Sequence, residues 1–143
     1  MQRVAVADPA LGLLSQAKRA TAAYRRGDYA SATQSYLDAL ALAAASPEAC
    51  HPVDVATLHF NCARAALKEE RHVLSLDQAS AALRHRPGYG NARMLQAECH
   101  MELLEFSEAA AAYRALAELE PDNSAWGECE RKATALADAS LYD

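Results

Sequence analysis

The residues best equipped for chemistry are three histidine–cysteine pairs. His59 and Cys62 stand three apart, a spacing that can bring an imidazole and a thiol to one helix face as metal ligands. No second such pair recurs at a fixed distance, so packing is the better reading of this one. Cys50-His51 places a thiol beside a base in a proline-bounded loop, without a third group nearby to orient it. Cys99 and His100 are adjacent and so point to different faces of a helix. The chain has no glycine-rich phosphate loop, nucleophile elbow or paired-carboxylate motif. The expectation is a protein that is not an enzyme and that needs no metal and no cofactor.

Composition narrows the remaining classes. The chain has 143 residues, 52% hydrophobic and 23% charged, enough for one domain with a real core. A net charge of −5 disfavours a general nucleic-acid binder, which needs a basic surface to displace counterions. Four widely spaced cysteines without a CxxC point to reduced thiols and a cytoplasmic location. Val4 to Ala7 is too short for a signal-peptide core, and the longest apolar run, Ala39 to Ala45, is too short to span a membrane.

The elements that must position any site are helices. Strand-like runs of Val, Ile or Thr are absent, and apolar residues recur at three- and four-residue steps. Asp8-Pro9 opens a first helix over Leu11 to Arg26, and Gly27 stops it by entering the left-handed conformation without a Cβ penalty. A second helix runs from Asp28 or Tyr29 to about Ala44, with Ala32, Tyr36, Ala39 and Leu40 on one face. Ser46 to Pro52 is a loop. Val53 to Glu69 and His72 to His85 form a second pair, Tyr89 to Leu103 and Phe106 to Glu120 a third. A seventh helix, about Ser124 to Leu141, turns Trp126, Cys129, Ala133, Leu136 and Ala137 inward and carries Glu128, Arg131, Lys132 and Asp138 on its other face.

The pairs repeat. Pro87 and Pro121, Ala63 and Ala97, Ser75 and Ala109, and His72 and Phe106 are each 34 residues apart. The first unit is offset from the second by a longer step, with the surplus in the proline-bounded loop. A 34-residue helix–turn–helix period with small residues at matched positions resembles the tetratricopeptide repeat. The resemblance implies an all-α, right-handed superhelical solenoid in a single domain. Its repeats would cover about residues 11–45, 53–87 and 88–122, with loop 46–52 and a capping helix at about 124–141 that shields the last pair. Glu70 and Leu104 stand where Gly27 does, and Leu116 stands at the small position of Ala39 and Ala82.

In that family the first helix of each pair lines a concave groove. The resemblance implies a ligand-binding groove of Ala17, Lys18, Thr21, Tyr24 and Arg25, then Phe60, Asn61, Arg64, Leu67 and Lys68, then Asn91, Met94, Leu95, Glu98, Met101 and Glu102. It is basic at its N-terminal end and apolar and acidic at the other. Phe60-Asn61-Cys62-Ala63, Pro87-Gly88-Tyr89 and Glu98-Cys99-His100-Met101 resemble the repeats of co-chaperones, which hold the Glu-Glu-Val-Asp tails of the ninety- and seventy-kilodalton heat-shock chaperones in a carboxylate clamp. Of five clamp positions only Asn61 matches. Ala17 and Thr21 replace a lysine and an asparagine, and Asn91 and Leu95 replace a lysine and an arginine, which implies weak clamp binding or none. Asn61 then reads either as a ligand donor or as a structural amide, and Met94 and Met101 either as an adaptable lining or as core.

Leu141-Tyr142-Asp143 resembles the opening of a J domain, which in some co-chaperones follows such an array. The expected function is a protein–protein interaction module of co-chaperone type, with a chaperone tail or a client as partner and neither nucleic acid nor membrane. The alternative is a self-assembling scaffold, a homodimer that uses an exposed Trp126 as an interface anchor.

Overall fold

The computed structural model describes residues 9–46 and 54–141. Seven helices account for nearly all of them: α1 Pro9–Arg25, α2 Tyr29–Ala45, α3 Val55–Lys68, α4 His72–His85, α5 Gly90–Glu102, α6 Phe106–Leu119 and α7 Ser124–Ser140. Each packs chiefly on its neighbours in the chain, the arrangement of an all-α solenoid. Cys50, His51, Tyr142 and Asp143 lie outside the described residues.

Polar caps start three of the helices. Asp28 accepts a hydrogen bond from the Ser31 N–H at 3.2 Å, Asp54 from the Ala56 N–H at 3.0 Å and Asn123 from the Ala125 N–H at 3.1 Å. Each satisfies one of the donors a helix leaves unpaired in its first turn. The Asp54 cap sets the observed start of α3 at Val55, two residues later than periodicity suggests.

Within each pair the turn closes in the same way. The N–H of Asp28 reaches back to the Ala23 carbonyl at 2.9 Å, that of Arg71 to Ala66 at 2.9 Å and that of Glu105 to His100 at 2.8 Å. This closure needs a left-handed residue just before the donor. Gly27 supplies it at φ 81°, Glu70 at φ 59° and Leu104 at φ 61°. Missing glycines therefore leave the geometry unchanged and load the last two turns with backbone strain.

Small residues hold the pairs together. Ala20 and Ala32, Ala63 and Ser75, and Ala97 and Ala109 are all fully buried. The Ser75 hydroxyl donates to the Ala63 carbonyl across the α3–α4 contact at 2.7 Å, so a side chain only two heavy atoms long bridges two helices. Leu116, at the small position of Ala39 and Ala82, is also buried, and the larger residue is absorbed into the core. One inward assignment on α7 is corrected: Leu136 is 41% exposed. With no further helix stacked on it, α7 fully buries only Ala133.

Leu104 is 72% exposed, so its side chain contributes little to packing while its backbone pays for a left-handed φ. Leu104→Gly is expected to stabilise the protein by ~1 kcal/mol, the strain released less the added freedom of the unfolded chain. Urea unfolding of the two proteins measures it, with the gain appearing as a higher midpoint at unchanged slope.

Candidate functional site: the groove along the first helices of each pair

At the N-terminal end, α1 and α3 enclose a pocket of about 400 Å³ lined by Ala17, Lys18, Thr21, Ala22, Arg25, Tyr36, Leu58 and Asn61. Leu58 and Tyr36 are buried and form its floor. The Thr21 hydroxyl donates to the Ala17 carbonyl at 3.1 Å and lies 3.1 Å from the Tyr36 hydroxyl. With its proton committed to Ala17, Thr21 accepts from Tyr36, and both hydroxyls are tied into the wall. Lys18 and Arg25 are exposed. Among the described residues neither has an ion-pair partner, and the Asn61 amide has no hydrogen bond within the protein. Among the described residues no hydrogen bond ties the Asn61 side chain into a helix–helix contact, and it lines the pocket.

A run of rings leads away from this pocket. Tyr29 packs edge-on against Tyr24 at 5.1 Å. The Arg64 guanidinium lies 4.5 Å from the Tyr24 ring centre and 5.7 Å from that of Phe60. Phe60 in turn meets Tyr89 at 5.1 Å, and Arg86 lies over Tyr89 at 4.4 Å while paired with Asp54. Stacking holds Arg64 by its faces and leaves its N–H edge without a protein acceptor among the described residues, a pre-oriented donor for a carboxylate.

Further along, Leu67, Glu70, His72, Glu98, Met101, Glu102 and Tyr113 line a second pocket of about 510 Å³. Burial pushes the Glu98 carboxyl above its ordinary pKa, and the like charge of Glu102 adds to the shift. Met101 is half-buried against the cluster of Ala109, Ala110 and Ala133. Met94 is half-buried, and Lys68 and Asn91 are exposed. Leu95 is 6% exposed and sits beneath Phe60 and Leu67 against Ala63 and Ala79. It belongs to the core and offers a ligand almost nothing. The i+4 step from Asn91 turns toward the α3–α4 contact, which a residue-by-residue projection does not reveal.

Tyr36, Leu58, Glu70, His72 and Tyr113 line these pockets without having been assigned to the groove from sequence. Leu58 lies on a first helix, one turn before Asn61, whereas Tyr36, His72 and Tyr113 lie on second helices and Glu70 in a turn, positions that the projection of first-helix faces does not include. Trp126 is also corrected. It is half-buried, its indole N–H donates to Glu120 at 2.7 Å, and its ring stacks on Tyr113 at 6.4 Å. It packs at the α6–α7 corner, so the full exposure expected of it is not found.

The two histidine–cysteine pairs within the described residues, His59 with Cys62 and Cys99 with His100, resolve as packing. Burial raises the Cys62 thiol to about 12, and burial likewise pushes Cys99 up, so neither supplies a thiolate. His59 donates from Nδ1 to Gln78 Oε1 at 2.7 Å and stacks on His85 at 5.4 Å. Among the described residues no three metal-ligating side chains converge, and no helix is long and apolar enough to cross a membrane.

No family model matches the sequence. The structure is similar to several solved ones. The TPR domain of Arabidopsis OM64 superposes with a TM-score of 0.73 at 21% identity, covering 90% of this chain and 98% of that one. The first TPR of Spaghetti (RPAP3), bound to the HSP90 peptide SRMEEVD, gives 0.71 at 22% identity over 90% and 95%. The second TPR domain of human RPAP3, in complex with the HSP70 peptide SGPTIEEVD, gives 0.72 at 20% identity over 89% and 98%. The likeness establishes the fold: helix pairs of the tetratricopeptide type closed by a further helix.

The His59 environment has a consequence for stability. Desolvation lowers the His59 pKa from 6.5, the Gln78 bond opposes part of that shift, and the charges of His85 and Arg84 reinforce it. The unfolded chain therefore binds this proton at higher pH than the folded one. Stability is expected to be full above pH ~6.5 and to decline as the pH falls toward the depressed folded value. His59→Gln should flatten that decline in urea-unfolding free energies measured across the interval. An unchanged slope contradicts the assignment.

Proposed function

We propose that this chain is a non-catalytic, cytoplasmic adaptor of chaperone-linked type, and that it holds an acidic peptide segment in the groove between α1 and α3. One observation carries the reading. Lys18, Arg25 and Asn61 gather around a pocket with an apolar floor, and Arg64 stands close by with its N–H edge free. Convergent cations and an amide above apolar surface suit a peptide carboxylate followed by an aliphatic side chain. The HSP90 and HSP70 peptides bound to the two RPAP3 domains have that chemistry, which supports a chaperone tail as one candidate partner.

The donor set differs from the clamp that the sequence resemblance implies. Ala17 and Thr21 bring no charge, Thr21 is tied to Tyr36, and Leu95 is buried. Positive charge comes instead from Lys18, Arg25 and Arg64. These cations are exposed, so each contributes only about 0.7 kcal/mol after solvent screening. The expected ligand binds in the micromolar range or weaker and is sensitive to salt.

The test is a titration with peptides ending in Glu-Glu-Val-Asp and with an unrelated acidic peptide, followed by NMR. Amides of Tyr24, Asn61, Arg64 and Lys68 are expected to shift with at least one of them. Lys18→Ala combined with Arg25→Ala should weaken that ligand by roughly tenfold, the product of two screened charges. Silence of those four amides with every peptide rejects the groove reading.

A further inference from the structure

The groove carries unpaired charge of opposite sign at its two ends. Residues 9–26 contain four cations, Lys18, Arg19, Arg25 and Arg26, and no carboxylate. Residues 90–141 contain ten carboxylates and only four cations. Some of those carboxylates are satisfied internally: Glu130 by Arg114, Glu120 by Trp126, and Glu105 lies near His100. Two others, Glu98 and Glu102, line the second pocket together with Glu70 of the α3–α4 turn, and none of the three has an ion-pair partner among the described residues. No lysine or arginine lines that pocket either.

We propose that the groove binds an extended peptide of mixed charge, its carboxylates over α1 and α3 and a lysine or arginine of the same peptide in the pocket of Glu70, Glu98 and Glu102. This rests on the groove reading above and adds the second half of the ligand. The walls of the pocket suit a long cationic side chain. Leu67, Met101 and Tyr113 give apolar surface for its methylene stem, while the carboxylates meet its charged head. Met101 has the flexibility to close around such a stem. The mutual repulsion of Glu98 and Glu102 is relieved when a cation arrives.

Span and charge both select the occupant. The two pockets share α3, so one helix-to-helix step of about 10 Å and about 14 Å along α3 separate them, a path of roughly 17–20 Å. An extended peptide crosses such a gap with about six residues. A uniformly acidic tail fits the first pocket and is repelled by the second. Nucleic acid is repelled there as well, since its backbone is uniformly negative.

The experiment uses fluorescein-labelled peptides that carry an acidic block separated from one lysine by about six neutral residues, made in both charge orders. Each has a partner in which norleucine replaces the lysine, and the acidic block alone serves as a further probe. On the unaltered protein the lysine peptide is expected to bind at least about fivefold tighter than its norleucine partner in one order. Glu98→Gln with Glu102→Gln should bring that ratio close to unity. Both positions are exposed, and thermal melts establish that the variant folds; Glu102→Lys, which should invert the preference, is the second variant. A ratio near unity on the unaltered protein in both orders overturns the proposal, as does a ratio that survives both variants. If the acidic block alone also fails to bind, the groove reading falls with it, which separates the two failures.

Discussion

The close approach of paired helices at small residues is the contact on which this structure depends. Ala20 and Ala32, and Ala97 and Ala109, stand at the repeat positions of Ala63 and Ser75, carry no side chain larger than a methyl and are all fully buried. Ser75 makes the constraint visible, because its hydroxyl reaches the Ala63 carbonyl of the facing helix. A valine or leucine at such a point would drive the pair apart and cost about 1–3 kcal/mol. The larger residues, Tyr36, Leu58 and Leu116, fill the spaces on either side of these contacts.

The turns follow from the same constraint. Two helices in close contact need a short reversal, and the left-handed residue at each turn supplies it. Gly27 does so without a steric penalty, whereas Glu70 and Leu104 hold φ values near 60° that side chains resist. Their persistence shows that burial on both sides of the turn outweighs the local cost. Glu70 has a second place in the structure, since that turn carries its carboxylate to the rim of the acidic pocket.

The polar groups left open to a ligand sit where packing has no claim on them. Asn61, Lys18 and Arg25 surround apolar floor and have no side-chain partner among the described residues, while Thr21, equally polar, is consumed by Ala17 and Tyr36. Arg64 is intermediate, anchored through its faces by Tyr24 and Phe60 and open along its edge. Both pockets are lined in part by α3, which carries Asn61 at the first and Leu67 at the second.

Helix extents, the repeat period and the stop at Gly27 could be read from sequence because they are set by residues within one or two turns of each other. A 34-residue period carried by size and shape needs no knowledge of distant contacts. The fate of individual groove residues could not be read in that way. Leu95 is one turn from Asn91 yet lies under Phe60 and Leu67, and Trp126, which sequence read both as inward-facing and as an exposed anchor, closes a corner with Tyr113 and Glu120. Nothing in the residue type distinguishes the tied hydroxyl of Thr21 from the free amide of Asn61. Periodicity names the face of a helix; only the angle and distance at which the next helix arrives decide which polar groups on that face are consumed and which remain for a ligand.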